Sequence, residues 1–213
     1  MEALERVIAD NFHAMYYYSP HTWNGGVTRW KGIPVLGNPL DMWMLQQTIV
    51  ETKPDVIVET GSACGGSALF YTDVLPKVRI ISIDIQTEMQ PMIEHPRITF
   101  VKAMSTDKKT IAMVGKESRG KRVMVILDSD HTTANVLAEL KAYAPMVTRG
   151  CYLIVQDTNI DCSPVNHPQF KDNGPTKAVN IFMQGNKDFE VDHYKEEGFY
   201  MTFYPGGWLR CIR

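Results

Sequence analysis

The residues with the clearest chemical capacity in this 213-residue chain stand at the ends of apolar runs. Asp84 closes the run Arg79–Ile83, Asp128 closes Arg122–Leu127, and the pair Gln156-Asp157 follows Gly150–Val155. Short apolar, β-branched runs read as buried strands, and parallel strands deliver their carboxyl-terminal residues to one edge of a sheet. If the strands ending at Asp128 and at Gln156-Asp157 are neighbours, two carboxylates and an amide converge. That all-oxygen set suits a hard octahedral cation that keeps some of its waters, Mg²⁺ before others. The plainer reading is that acids at strand ends cap the helices that follow. His131 lies three positions past Asp128, at the start of the next helix. An imidazole there titrates near neutral pH and can take a proton from a hydroxyl. Asp130 next door is the rival, as a base or as a helix cap.

A second constellation precedes these. Val56-Ile57-Val58-Glu59-Thr60 leads into Gly61-Ser62-Ala63-Cys64-Gly65-Gly66-Ser67, and a helical stretch, Ala68–Leu75, follows. Strand, glycine-rich turn and helix form a nucleotide-sized pocket at the carboxyl edge of an α/β sheet. Gly61, Gly65 and Gly66 allow positive φ or close approach of a ligand to the backbone. Asp84, ending the next strand, is placed to accept hydrogen bonds from ribose hydroxyls. The spacing is not the G-x-G-x-x-G of nicotinamide-binding domains, and an ordinary βα turn without a ligand is the alternative.

The elements that must position these residues alternate. Apolar spacing at Leu4, Val7, Ile8 and Phe12 predicts a helix over Met1–Met15. The aromatic, glycine-rich stretch Tyr16–Gly32 reads as an irregular N-terminal arm or as a lid, with residues 1–37 as a unit. Tyr16, Tyr17, Tyr18, Trp23 and Trp30 are its candidate substrate-facing aromatics. Pro39–Glu51 reads as a helix with Asn38 as N-cap and Pro39 at the first position. Further strands are expected at Arg97–Lys102, with Met104–Asp107 at pocket level, and at Arg122–Leu127 and Gly150–Val155. Helices are expected at Thr110–Lys116, Thr132–Ala144 and Thr176–Gln184, with a loop at 159–175. Phe199–Tyr204 and Trp208–Ile212, joined by Pro205-Gly206-Gly207, read as a β-hairpin. The expected fold is α/β: one domain over 1–213, a doubly wound and mostly parallel sheet with right-handed crossovers and a C-terminal antiparallel hairpin.

Composition narrows the function classes. A net charge of −2 leaves no electrostatic footprint for nucleic acid or an anionic membrane, and 44% hydrophobic residues provide for a substantial core. Cys64, Cys151, Cys162 and Cys211 form no CxxC pair, which points away from a zinc site or disulfide framework and toward a reducing cytoplasm. No apolar run is long enough for a membrane span, and the first ten residues do not resemble a signal peptide. A homo-oligomer is compatible with all of this.

Several motifs taken together resemble the cephalosporin hydroxylase (CmcI-like) family. They are Glu59-Thr60-Gly61-Ser62 with Gly65-Gly66-Ser67-Ala68, Asp128-Ser129-Asp130-His131-Thr132, and Val155-Gln156-Asp157-Thr158. Trp30-Lys31-Gly32, Asn38-Pro39 with Asp41-Met42-Trp43, and Pro205-Gly206-Gly207-Trp208-Leu209 join them, so the likeness spans roughly 28–213. Despite that name, the family resembles class I S-adenosylmethionine-dependent O-methyltransferases, including enzymes acting on sugars. The resemblance implies S-adenosylmethionine at Glu59, Gly61, Ser62, Gly66, Ser67, Asp84, Ser105 and Asp128, with Asp84 on the ribose. It implies Mg²⁺ at Asp128, Gln156 and Asp157, His131 as base, and a small-molecule acceptor, a sugar or glycoside. Gln156 departs from the family, which has an acid there; an amide oxygen can ligate Mg²⁺ but carries no charge. Two other readings are a non-catalytic nucleotide-binding scaffold and, from the name, an iron-dependent hydroxylase. The latter needs two histidines and a carboxylate, and only His131 lies near the acids.

Overall fold

The computed structural model describes residues 3–22, 28–85 and 89–213. Helix α1 (Ala3–Tyr18) opens the chain. A small hairpin, β1 (Arg29–Trp30) with β2 (Ile33–Pro34), turns through Lys31 and Gly32, both at positive φ. Helix α2 (Pro39–Thr52) starts as its sequence demands: the Asn38 side chain accepts from the Leu40 amide, and Pro39 needs no partner for a missing N–H. The main sheet then alternates with helices: β3 (Val56–Thr60), α3 (Gly66–Val74), β4 (Arg79–Asp84), β5 (Ile98–Lys102), α4 (Lys108–Ser118), β6 (Val123–Leu127), α5 (Thr133–Tyr143) and β7 (Tyr152–Val155). Helix α6 (Pro175–Met183), β8 (Phe189–Val191), α7 (His193–Glu197) and β9 (Trp208–Cys211) complete it.

The seven strands lie in the order β5-β4-β3-β6-β7-β9-β8. β3 through β7 are mutually parallel, whereas β9 runs antiparallel between β7 and β8. Every residue of β3, β6 and β7 is buried, as continuous apolar runs require when helices cover both faces. The chain leaves β3 toward β4 on one side and returns to β6 on the other. The crevice between β3 and β6 is therefore the topological switch point, where ligands bind in open α/β sheets. All four cysteines are free, and no helix among the described residues is long and apolar enough to cross a membrane.

Two expectations need correction. The antiparallel pair at the C-terminus exists, but β9 pairs with β8 and not with Phe199–Tyr204. Those residues are largely buried yet form no strand, because Tyr200 adopts a left-handed φ of 63° and the amide of Phe203 is captured elsewhere. It donates to the buried carboxylate of Asp41 on α2 at 2.8 Å, and Thr202 Oγ1 donates to the same carboxylate at 2.5 Å. The second correction is at the arm: Tyr16, Tyr17 and Tyr18 are the last turn of α1, not irregular backbone. Tyr16 and Tyr17 pack edge-on against Phe203, and His13 stacks on the same ring at 5.3 Å, so α1 is fastened to the body. Trp30 donates to Asp73 at 2.7 Å and packs edge-on to Phe70, and Trp23 lies outside the described residues.

Candidate active site

A cleft of about 530 Å³ opens at the carboxyl edge of the sheet, over the switch point. The turn after β3 forms its floor. Gly61 has φ 88°, and a Cβ built there would stand 1.8 Å from the carbonyl oxygen of Asp128. Gly61 is therefore glycine so that β6 can end against it. Gly66 is likewise glycine for packing: its missing Cβ admits the carbonyl of Pro34, which brings the β1–β2 hairpin onto the start of α3. The close approaches at these two glycines are by the protein's own backbone.

Asp84 braces the turn from β4. Its Oδ2 accepts from the amides of Ser62 at 2.8 Å and of Ala63 at 3.1 Å. Beneath, Glu59 is 2% exposed and does not line the cleft. Its two oxygens accept from Ser67 Oγ at 2.6 Å and Ser82 Oγ at 2.5 Å, and Ser82 meets Ser62 Oγ at 2.7 Å. Burial pushes the Glu59 carboxyl up to about 7, against hydrogen bonds from Ser67 and Ser82 that lower it. Gly61, Ser62, Gly66, Ser67, Asp84, Ser105 and Asp128 all line the cleft, although the hydroxyls of Ser62 and Ser67 are turned into this buried network.

The acids converge as the strand order requires, since β6 and β7 are neighbours. Asp128, His131 and Asp157 each offer an atom within 4.8 Å of the others. His131 Nε2 stands 3.3 Å from Asp157 Oδ2. Asp157 takes a left-handed φ of 56° at the head of the 3₁₀ turn Thr158–Asp161, which redirects the chain just past β7. Burial raises the carboxyl of Asp157, partly offset by His131. Burial, with the charges of Asp157, Glu59, Glu139 and Asp84, raises Asp128 well above the ordinary carboxylate range. Clustered carboxylates short of countercharge are what a divalent cation relieves, and the buried Gln156 adds an amide on the same wall. The donor set therefore fits a hard cation. Asp130 is taken up in the loop, where its Oδ1 accepts from the Thr132 amide at 2.9 Å, and Thr132 caps α5.

Several cleft residues escaped sequence reasoning. Ile85 and Met89 make an apolar wall beside the glycine turn with Met104, which was expected at pocket level, while Ile160 and Phe170 line the cleft too, with Phe170 edge-on to His131 at 6.1 Å. Of the five aromatics expected in the arm, Tyr17 lines the cleft. Glu139 on α5 is fully buried and accepts from Ser129 Oγ at 2.7 Å, which steadies the loop behind Asp128. Only the in-register position of Glu139 on an otherwise inward apolar face could have signalled it.

A parallel sheet in this order, with an antiparallel strand inserted near one edge and a glycine turn at the switch point, is the class I methyltransferase fold. Residues 23–212 match the family Rhamnosyl O-methyltransferase/CmcI, and the chain belongs to that family. It is 36% identical over 211 residues to a rhamnosyl O-methyltransferase of Mycobacterium leprae, covering 95% of this chain and 90% of the relative. A rhamnosyl O-methyltransferase of Mycobacterium bovis is 31% identical over 216 residues, covering 95% and 84%. Among solved structures, CmcI with Mg and S-adenosylmethionine superposes with a TM-score of 0.66 at 19% identity, over 93% of this chain and 84% of that one.

Proposed function

We propose that the protein is an S-adenosylmethionine-dependent O-methyltransferase acting on a hydroxyl of a sugar or glycoside. A divalent cation, Mg²⁺ first, is held by Asp128, Gln156 and Asp157, and His131 is the base. The observation that carries this reading is the meeting of Asp128, His131 and Asp157 within 4.8 Å in the same cleft as the glycine turn. The names of the mycobacterial relatives and of CmcI with its Mg and S-adenosylmethionine support it.

The turn Gly61–Ser67, braced by Asp84, seats the donor, with Asp84 at the rim for the ribose and Ile85, Met89 and Met104 against its base. Such positioning of donor and acceptor converts an improbable encounter into an intramolecular step. His131 takes the acceptor's hydroxyl proton on a ring nitrogen as the oxygen attacks the methyl carbon. The carbon–sulfur bond breaks in line and leaves S-adenosylhomocysteine. A bound cation lowers the pKa of the acceptor hydroxyl and fixes its orientation. Asp157, 3.3 Å from His131 Nε2, would help hold a cation, and His131 would serve beside it as the base. Tyr17 and Phe170 offer aromatic faces at the His131 end, suited to the apolar face of a pyranose ring. The test is transfer of labelled methyl from S-adenosylmethionine to a panel of glycosides, with Mg²⁺ and with chelator. No rise in melting temperature on adding S-adenosylmethionine defeats the donor assignment. Donor binding without transfer to any glycoside defeats the acceptor assignment.

A further inference from the structure

We propose that Tyr71 sets the orientation of the Gln156 amide, so that Gln156 presents its oxygen to the cation held by Asp128 and Asp157. The inference rests on the metal-assisted reading above and concerns what makes an amide serviceable where an acid would need no help. A carboxylate offers an oxygen whichever way it rotates. An amide has one acceptor end and one donor end of nearly the same shape, and only the oxygen can face a cation. What decides the rotation is the partner of the other end.

That partner is Tyr71. It stands on α3, fully buried, in the cleft wall with Gln156 and Asp128, and its hydroxyl makes no hydrogen bond. An unpaired buried hydroxyl is costly, so a small side-chain adjustment that pairs it is favoured. Its polar neighbours are Glu59 and Gln156, the two side chains placed to pair with the phenol. Burial and the charges of Glu59 and Asp128 hold the phenol well above its ordinary range, so it stays neutral, with one proton to donate and a lone pair to accept. Glu59 is used as an acceptor, since Ser67 and Ser82 already donate to its two oxygens. The relay therefore has one direction: Gln156 Nε2–H donates to the Tyr71 oxygen, and the Tyr71 O–H donates to Glu59. With its nitrogen so engaged, the Gln156 oxygen faces the cleft beside the two aspartates.

The test uses Mn²⁺ as the probe, with affinity measured by electron paramagnetic resonance on the wild type, Tyr71→Phe, Gln156→Glu and the double variant. Tyr71→Phe keeps the ring and removes the relay, and is expected to weaken Mn²⁺ on the order of tenfold, the lower end for loss of an outer-shell partner. Gln156→Glu is expected to tighten binding. In that background Tyr71→Phe should shift affinity less than about threefold, because either carboxylate oxygen serves; the difference is the coupling a double-mutant cycle reads. The double variant carries the same phenylalanine, so damage to the fold would appear in both backgrounds. Equal losses in the two backgrounds, or no loss in the first, overturn the proposal. So does Gln156→Leu binding Mn²⁺ like the wild type. A wild type that binds no Mn²⁺ overturns the metal reading itself, and this proposal with it.

Discussion

Gly61→Ala should damage the metal site from the cofactor turn, without altering any ligand. Two penalties combine. At φ 88° an alanine is strained, which costs about 1 kcal/mol. Its Cβ also falls 1.8 Å from the Asp128 carbonyl oxygen and 2.6 Å from the carbonyl carbon, contacts that only a backbone shift can relieve. Overpacking of that kind costs about 1–3 kcal/mol. The total, about 2–4 kcal/mol, corresponds in a chain of this size to a fall in melting temperature on the order of 10 °C. Gly120→Ala is the control, because Gly120 has φ 71° and nothing within 4 Å of its built Cβ. It should carry only the strain, a fall of about 2–4 °C, and bind Mn²⁺ like the wild type. Differential scanning calorimetry and Mn²⁺ titration of the two variants decide it. If Gly61→Ala melts no lower than Gly120→Ala and holds Mn²⁺ normally, the glycine does not exist to seat Asp128, and the coupling between turn and metal site is wrong.

Other outcomes follow from the same geometry. His131→Ala should lower turnover by roughly 10²–10⁴, leaving donor affinity in calorimetry unchanged; Asp130→Asn, altering a loop acceptor, should keep both turnover and donor affinity. Asp128→Ala and Asp157→Ala should each abolish activity together with its response to Mg²⁺, and full turnover of the wild type in excess chelator would refute the metal assignment. Asp41, raised to about 7 chiefly by burial, binds a proton in the folded chain that the unfolded chain releases near pH 4. Its contribution to stability is present below that pH and is lost as pH rises through about 7. Asp41→Asn should therefore narrow the gap in melting temperature between pH 5 and pH 8, and an unchanged gap would show that Asp41 does not titrate in this window.

The framework was legible from local pattern. Continuous apolar runs at Val56–Val58 and Val123–Leu127 can be satisfied only between helix layers, so burial, parallel pairing and the edge at which Asp84, Asp128 and Asp157 emerge follow from composition and order along the chain. The cap at Asn38 and the turn at Gly61 were equally readable, because each depends on a residue's own backbone preference. Other features depended on partners far away in sequence. Whether Phe199–Tyr204 became a strand was decided by Asp41, about 160 positions earlier, which takes the Phe203 amide that a hairpin would have used. Glu59 carries the same acid as Asp84 at a strand end, yet sits beneath the turn because Ser67 and Ser82 satisfy it there. Tyr17 reaches the cleft, and Trp30 does not, through the docking of α1 on Phe203 and the pairing of Trp30 with Asp73. A side chain's chemistry is local, whereas which neighbours neutralise, bury or aim it is settled only when distant segments pack.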